Sequence, residues 1–158
     1  GTIDVVGSDS GGFTLSRKIK PETADNIFEA PYGLNTIEFM VPVVWNYGVN
    51  QGKITLPRLV QVLCENPAKI FGLFPKKGSL LPGGDADIVI WDPTRPHLVD
   101  GQHGNTDYSS FDGFHLLDMP ILTIQRGEVV IEDGRVIRKQ GRARFIKGDP
   151  NSTPYAKY

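Results

Sequence analysis

Asp9 is the first residue of this sequence whose type and setting could do chemistry. It closes the apolar stretch Ile3-Asp4-Val5-Val6-Gly7-Ser8. A carboxylate at the end of such a strand is how a barrel brings one to its active-site mouth, where it can ligate a metal or carry a proton. Taken alone, a strand-terminal aspartate is more often a cap or a turn residue. The three histidines, His97, His103 and His115, lie far downstream and form no His-X-His pair. A zinc site takes three or four clustered ligands, so these lone histidines read as solvent-exposed or structurally bonded. Cys64 sits beside an apolar helical stripe with no histidine near it in sequence, and reads as a buried or half-buried packing thiol rather than a nucleophile. Asp85, Asp87 and Asp92 are dense, but their spacing matches no calcium loop and they flank a strand.

The elements that would position these groups follow from periodicity. Gly11 to Asn35 is polar and aperiodic, a long loop of the kind that covers a functional site. Ile37, Met40, Val41, Val44 and Trp45 recur at helical spacing, with Pro42 in the first turns or at a kink and Gly48 at the end. Thr55 is placed to cap a helix running to about Glu65, with Leu56, Leu59, Val60 and Leu63 as its apolar stripe. Asn66-Pro67 repeats the start signal for a short helix ending near Gly72.

Beyond Pro75 the pattern becomes β. Ala86–Asp92 reads as a strand closed by Pro93, and Ile121–Gln125 and Glu128–Glu132 flank a turn at Arg126-Gly127. Asp133-Gly134 then turns the chain into a strand over Arg135–Arg138. Residues 147–158 have little that could enter a core and are expected to form an arm or a frayed tail.

Composition narrows the function classes. At 158 residues, 39% hydrophobic and with a net charge of −1, the chain can bury a core and has no bulk attraction to nucleic acid. Arg135, Arg138, Lys139, Arg142, Arg144 and Lys147 form the one basic run, with Glu128, Glu132 and Asp133 near enough to neutralise part of it. It therefore reads as a solvated face or a subunit contact. The single cysteine excludes an internal disulfide and suits a reducing, cytoplasmic setting. No apolar run approaches the roughly 20 residues that span a bilayer. The sequence opens on Gly1 directly ahead of an apolar strand, which reads as a cut made by truncation or by an incomplete reading frame.

Several blocks, in order and nearly end to end, resemble the C-terminal third of the dihydropyrimidinase and hydantoinase branch of the amidohydrolase superfamily. They are Val5-Val6-Gly7-Ser8-Asp9, Ala30-Pro31-Tyr32-Gly33-Leu34, Gly52-Lys53-Ile54-Thr55, Asn66-Pro67-Ala68-Lys69-Ile70-Phe71-Gly72-Leu73, and Lys77-Gly78-Ser79 leading to Gly84-Asp85-Ala86-Asp87-Ile88-Val89-Ile90-Trp91-Asp92-Pro93. The resemblance implies an α/β fold: the C-terminal end of a metal-dependent (β/α)8 barrel at residues 1–74, C-terminal strands of a flanking β-sandwich domain at 75–146, and a tail at 147–158. Members of that family hold two divalent metals, usually zinc, and open a cyclic amide such as a hydantoin or a dihydropyrimidine. By resemblance Asp9 is the last metal ligand and the proton carrier, and Tyr32 with Gly33 meets the substrate through main-chain groups.

The other family ligands are missing from this sequence, so the chain alone is expected to be inactive. It is also expected to be poorly stable or self-associating, with open sheet edges. A homotetramer or dimer of the full-length protein is implied, with neither nucleic acid nor membrane as partner. Other readings are a non-catalytic assembly protein like the collapsin response mediator group, or an amidohydrolase for allantoin, dihydroorotate or an N-acyl amino acid. Two departures bear on the substrate: many relatives have histidine where Ser10 stands, and glycine where Thr36 stands.

Overall fold

The computed structural model describes residues 2–23, 25–138 and 141–152. Residues 3–9 were expected to form a strand, but they join no ladder. A strand exists only against a neighbouring strand, and this stretch meets a helix instead: its Val6 N–H reaches the Val62 carbonyl at 3.2 Å, and Asn66 Nδ2 donates to Asp4 O at 2.7 Å. The loop that follows is not bare. It contains a one-turn helix α1 (Leu15–Lys18) and two 3-10 turns, Pro21–Thr23 and Ile27–Glu29. The Leu15 N–H at the head of α1 is taken by Asp107 Oδ1 at 2.7 Å, a cap borrowed from 92 residues away.

Helix α2 covers residues 40–49, with Pro42 buried in its first turn, where the missing N–H costs nothing. Ile37, expected on its stripe, stays outside and is 64% exposed, while Phe39 takes the core position. Gly48 lies inside the last turn instead of ending the helix.

Helix α3 covers residues 56–70 without a break, where two helices were expected. Thr55 caps it as read from the sequence, its side chain accepting from the Arg58 N–H. The reason it runs on is a wide turn at Gln61–Glu65, whose closing bond runs from the Asn66 N–H to the Gln61 carbonyl. That bond completes the turn one residue before Pro67, which has no N–H to give, so proline is passed without rupture. Asn66 is therefore helical and its side chain is free for Asp4. The helix ends at Gly72, which has φ +66°.

Strands β1 (Ile88–Asp92), β4 (Met119–Gln125), β5 (Glu128–Glu132) and β6 (Arg135–Val136) form an antiparallel sheet in that order. Both hairpins turn on paired left-handed residues, Arg126-Gly127 and Asp133-Gly134, as tight turns between twisted strands require. The β1–β4 register shifts between Ile90 and Trp91, where Pro120 faces Trp91 and cannot donate to the ladder. A two-stranded ribbon, β2 (His97–Leu98) with β3 (His115–Leu116), was not foreseen, because two-residue strands carry no readable period.

That ribbon contributes to one buried cluster. Val99 and Leu116 pack with Phe39, supported by Val43, Phe111 and Met119. Full burial of each such side chain contributes roughly 1.5–3 kcal/mol. The Trp45 and Trp91 rings stack at 4.9 Å and tie α2 to β1. Residues either side of position 75 are thus joined: Asn46 of α2 and Asn50 just past its end reach His115, Leu117 and Asp118. The expected frayed tail is in part docked. Asp149 N–H donates to the Gly72 carbonyl at 2.8 Å, and Pro150–Ser152 makes a short turn. A Cβ on Gly72 would lie 2.3 Å from Asp149 O, so only glycine permits this approach. Residues 153–158 lie outside the described residues.

Candidate active site

Asp9 leaves residues 2–8 in a left-handed conformation, φ 44°, with its side chain exposed. The next residue, Ser10, bridges Leu34 in parallel, and Gly11 N–H donates to the Leu34 carbonyl at 3.1 Å. This crossing brings Asp9 beside the Pro31-Tyr32-Gly33 loop. A Cβ on Gly33, which has φ +88°, would stand 2.9 Å from Gly11 Cα and 3.2 Å from Asp9 O. Glycine at both 11 and 33 is what lets the two backbones touch. The three residues singled out from the sequence, Asp9, Tyr32 and Gly33, are therefore brought close together. Tyr32 projects outward, 86% exposed.

The two departures at Ser10 and Thr36 bind these segments together. Ser10 Oγ accepts the Thr36 N–H at 3.3 Å, and Thr36 Oγ1 donates to the Ser8 carbonyl at 3.1 Å. Lys18 of α1 donates through Nζ to the carbonyls of Pro31 and of Gly33, the latter at 2.6 Å.

Next to this crossing, Asn35 is completely buried. It accepts from Phe13 N–H and donates to Phe13 O and Tyr108 O. Neither Asn35 nor Lys18 was singled out from the sequence. A buried asparagine and a loop lysine look like ordinary polar loop residues until their partners, 22, 73 and 13–15 positions away, are in place.

The remaining candidates sit elsewhere. His97 stacks on Phe39 at 5.5 Å, His103 Nδ1 meets Glu38 Oε1 at 2.7 Å, and His115 belongs to β3. Cys64 is exposed rather than buried; the helix faces only part of it inward, which still suffices to push its thiol above the ordinary value. Asp92 caps its own turn through the Thr94 N–H and hydroxyl, and Asp85 pairs with Lys77 at 2.9 Å. In the basic run, Arg142 lies 2.8 Å from Glu128, and this guanidinium holds the Glu128 carboxyl below its usual range. Lys139 lies outside the described residues.

Among the described residues no three His, Cys, Asp or Glu side chains cluster closely enough to hold a metal ion. Asp9 offers a hard oxygen donor, but one carboxylate does not make a metal site. The donor set of the described residues does not complete a metal centre.

A family model for the amidohydrolase family matches residues 1–130. The chain belongs to that family. It is 41% identical over 148 residues to an L-hydantoinase from Paenarthrobacter aurescens, covering 92% of this chain and 32% of that protein. It is 36% identical over 156 residues to a D-phenylhydantoinase from Escherichia coli K12, covering 98% and 34%. Among solved structures, the L-hydantoinase (dihydropyrimidinase) from Arthrobacter aurescens superposes with a TM-score of 0.83 at 39% identity, over 93% of this chain and 33% of that one. The D-hydantoinase (dihydropyrimidinase) from Thermus sp. does so with 0.82 at 34% identity, over 90% and 31%. The chain spans about a third of the length of these relatives. Its neighbours have the TIM-barrel fold of the amidohydrolases, an α/β class, and the family is generally metal-dependent. No helix of the described residues is long and apolar enough to cross a membrane.

Proposed function

We propose that this chain is the C-terminal third of a metal-dependent hydrolase that opens cyclic amides, a hydantoin or a dihydropyrimidine ring. The observation that carries the reading is the Ser10–Leu34 crossing, which sets Asp9 beside Gly33 in a chain this similar to hydantoinases. Residues 1–74 are the end of the barrel, 75–146 the C-terminal strands of the flanking β domain, and 147–158 the tail. In the full-length protein, Asp9 is one of the ligands of a divalent metal centre, with two zinc ions per subunit. A metal held there by Asp9 together with ligands from the rest of the full-length protein would supply water acidic enough to react at neutral pH. The groups of this chain do the rest: Asp9 holds the proton taken from the attacking water and passes it to the departing nitrogen. The Tyr32 peptide and Gly33 align the ring amide by main-chain hydrogen bonds, which leaves substrate orientation independent of the exposed Tyr32 ring. The protein works in the cytoplasm as a homotetramer or dimer, and this chain by itself is inactive.

The test is ring opening of hydantoin and dihydrouracil by the metal-loaded full-length protein, with zinc content measured on the same sample. The expected result is turnover in wild type and its loss, with loss of bound zinc, in Asp9→Asn. Full activity in Asp9→Asn overturns the assignment of Asp9, and an inert, zinc-free wild type overturns the reading altogether.

A further inference from the structure

Lys18 makes no ion pair among the described residues, and its half-buried ammonium is committed instead to two main-chain carbonyls, those of Pro31 and Gly33. These carbonyls bracket Tyr32. The Tyr32 carbonyl between them faces the segment that follows Asp9: a Cβ on Gly11 would stand 2.9 Å from it. An ammonium has three donors and no acceptor, and its bonds to carbonyls are stronger than neutral ones, so it is well suited to hold two carbonyls at once.

We infer that Lys18 is a positioning residue for the cyclic-amide site proposed above, setting the Tyr32 peptide in the orientation that meets the ring amide of the substrate. The inference rests on that reading of the site. Lys18 itself touches no reacting atom. Its effect is to keep Tyr32 N–H and C=O from rotating out of line with the ring amide. Because the peptide contacts ring and transition state alike, the loss is expected in KM rather than in kcat.

The experiment compares wild type, Lys18→Met and Lys18→Arg in the metal-loaded full-length protein, measuring kcat and KM for hydantoin opening, the unfolding midpoint, and hydrogen exchange of the Tyr32 and Gly33 amides. The expected result for Lys18→Met is a KM raised about 10-fold or more with kcat within about twofold, faster exchange at Tyr32 and Gly33, and an unchanged midpoint. Lys18→Arg, which keeps the charge and the donors, is expected to restore part of KM and of the protection. Unchanged exchange at Tyr32 and Gly33 beside an active wild type overturns the inference alone. So does a kcat that falls in step with the unfolding midpoint while KM stays put. A wild type that opens no cyclic amide overturns the functional reading first, and faster Tyr32 exchange in Lys18→Met then still separates a held loop from an idle lysine.

Discussion

Asn35 grips Phe13 by both of its main-chain groups: its Oδ1 accepts the Phe13 N–H at 3.3 Å and its Nδ2 donates to the Phe13 carbonyl at 2.8 Å. The same Nδ2 reaches Tyr108 O, and the Asn35 carbonyl takes the Ser110 N–H at 2.9 Å. One buried side chain thus closes the long loop after Asp9 and fastens it to the stretch near position 110. Asn35→Ala would leave the Phe13 and Tyr108 carbonyls without that partner beside a fully buried position, while the Phe13 N–H keeps the Gly11 carbonyl. The expected loss is roughly 3 kcal/mol, since each unsatisfied buried group costs about 1–3 kcal/mol. Urea unfolding measures it, and a shift in midpoint equivalent to less than about 0.5 kcal/mol, the usual size for a surface change, refutes the role.

Gly33 stands at φ +88° with the Gly11 backbone 2.9 Å from where its Cβ would be. Gly33→Ala is expected to lower stability by about 1–3 kcal/mol, the cost of a side chain in such a conformation plus the displacement of the Gly11 main chain. It should also raise KM for a cyclic amide in the full-length protein. A variant with wild-type unfolding and wild-type KM would show that the crossing is looser than its geometry.

Asp118 is 1% exposed, and its Oδ2 accepts Asn50 Nδ2 at 2.6 Å. Burial pushes its carboxyl above the usual value, and the Asn50 bond pulls partly the other way. A folded-state value above the unfolded one means the folded protein holds this proton more tightly. The stabilisation is complete below the unfolded value, near 3.8, and is lost as pH rises through the folded value. Asp118→Asn keeps an acceptor for Asn50 and cannot ionise. It is expected to unfold at a higher urea concentration than wild type at pH 7, with the difference closing as pH falls toward 4. Parallel pH curves for the two proteins would show that Asp118 does not carry this linkage.

Thr55 accepts the Arg58 N–H at the head of α3. Thr55→Ala removes the cap and should cost about 1 kcal/mol, whereas Thr55→Ser should be nearly neutral. Equal stability of Thr55→Ala and wild type in thermal unfolding would show that packing alone starts the helix.

What the sequence determined by itself was whatever depends on neighbouring residues. The Thr55 cap, the Gly72 stop and the two hairpins at Arg126-Gly127 and Asp133-Gly134 are written in a few adjacent positions, because capping and left-handed turns are local in their energetics. The ordered blocks around Asp9, Pro31, Asn66 and Ala86 were likewise enough to point to the amidohydrolases. The tertiary structure decided what depends on distant partners. Residues 3–9 have strand sequence and no strand, because a ladder needs a neighbour that local sequence does not supply. Proline at 67 signalled a helix break, but a wide turn ahead of it carried α3 through. Asn35, Lys18 and the β2–β3 ribbon had no local signature, since their worth lies wholly in groups that the fold brings to them from far along the chain.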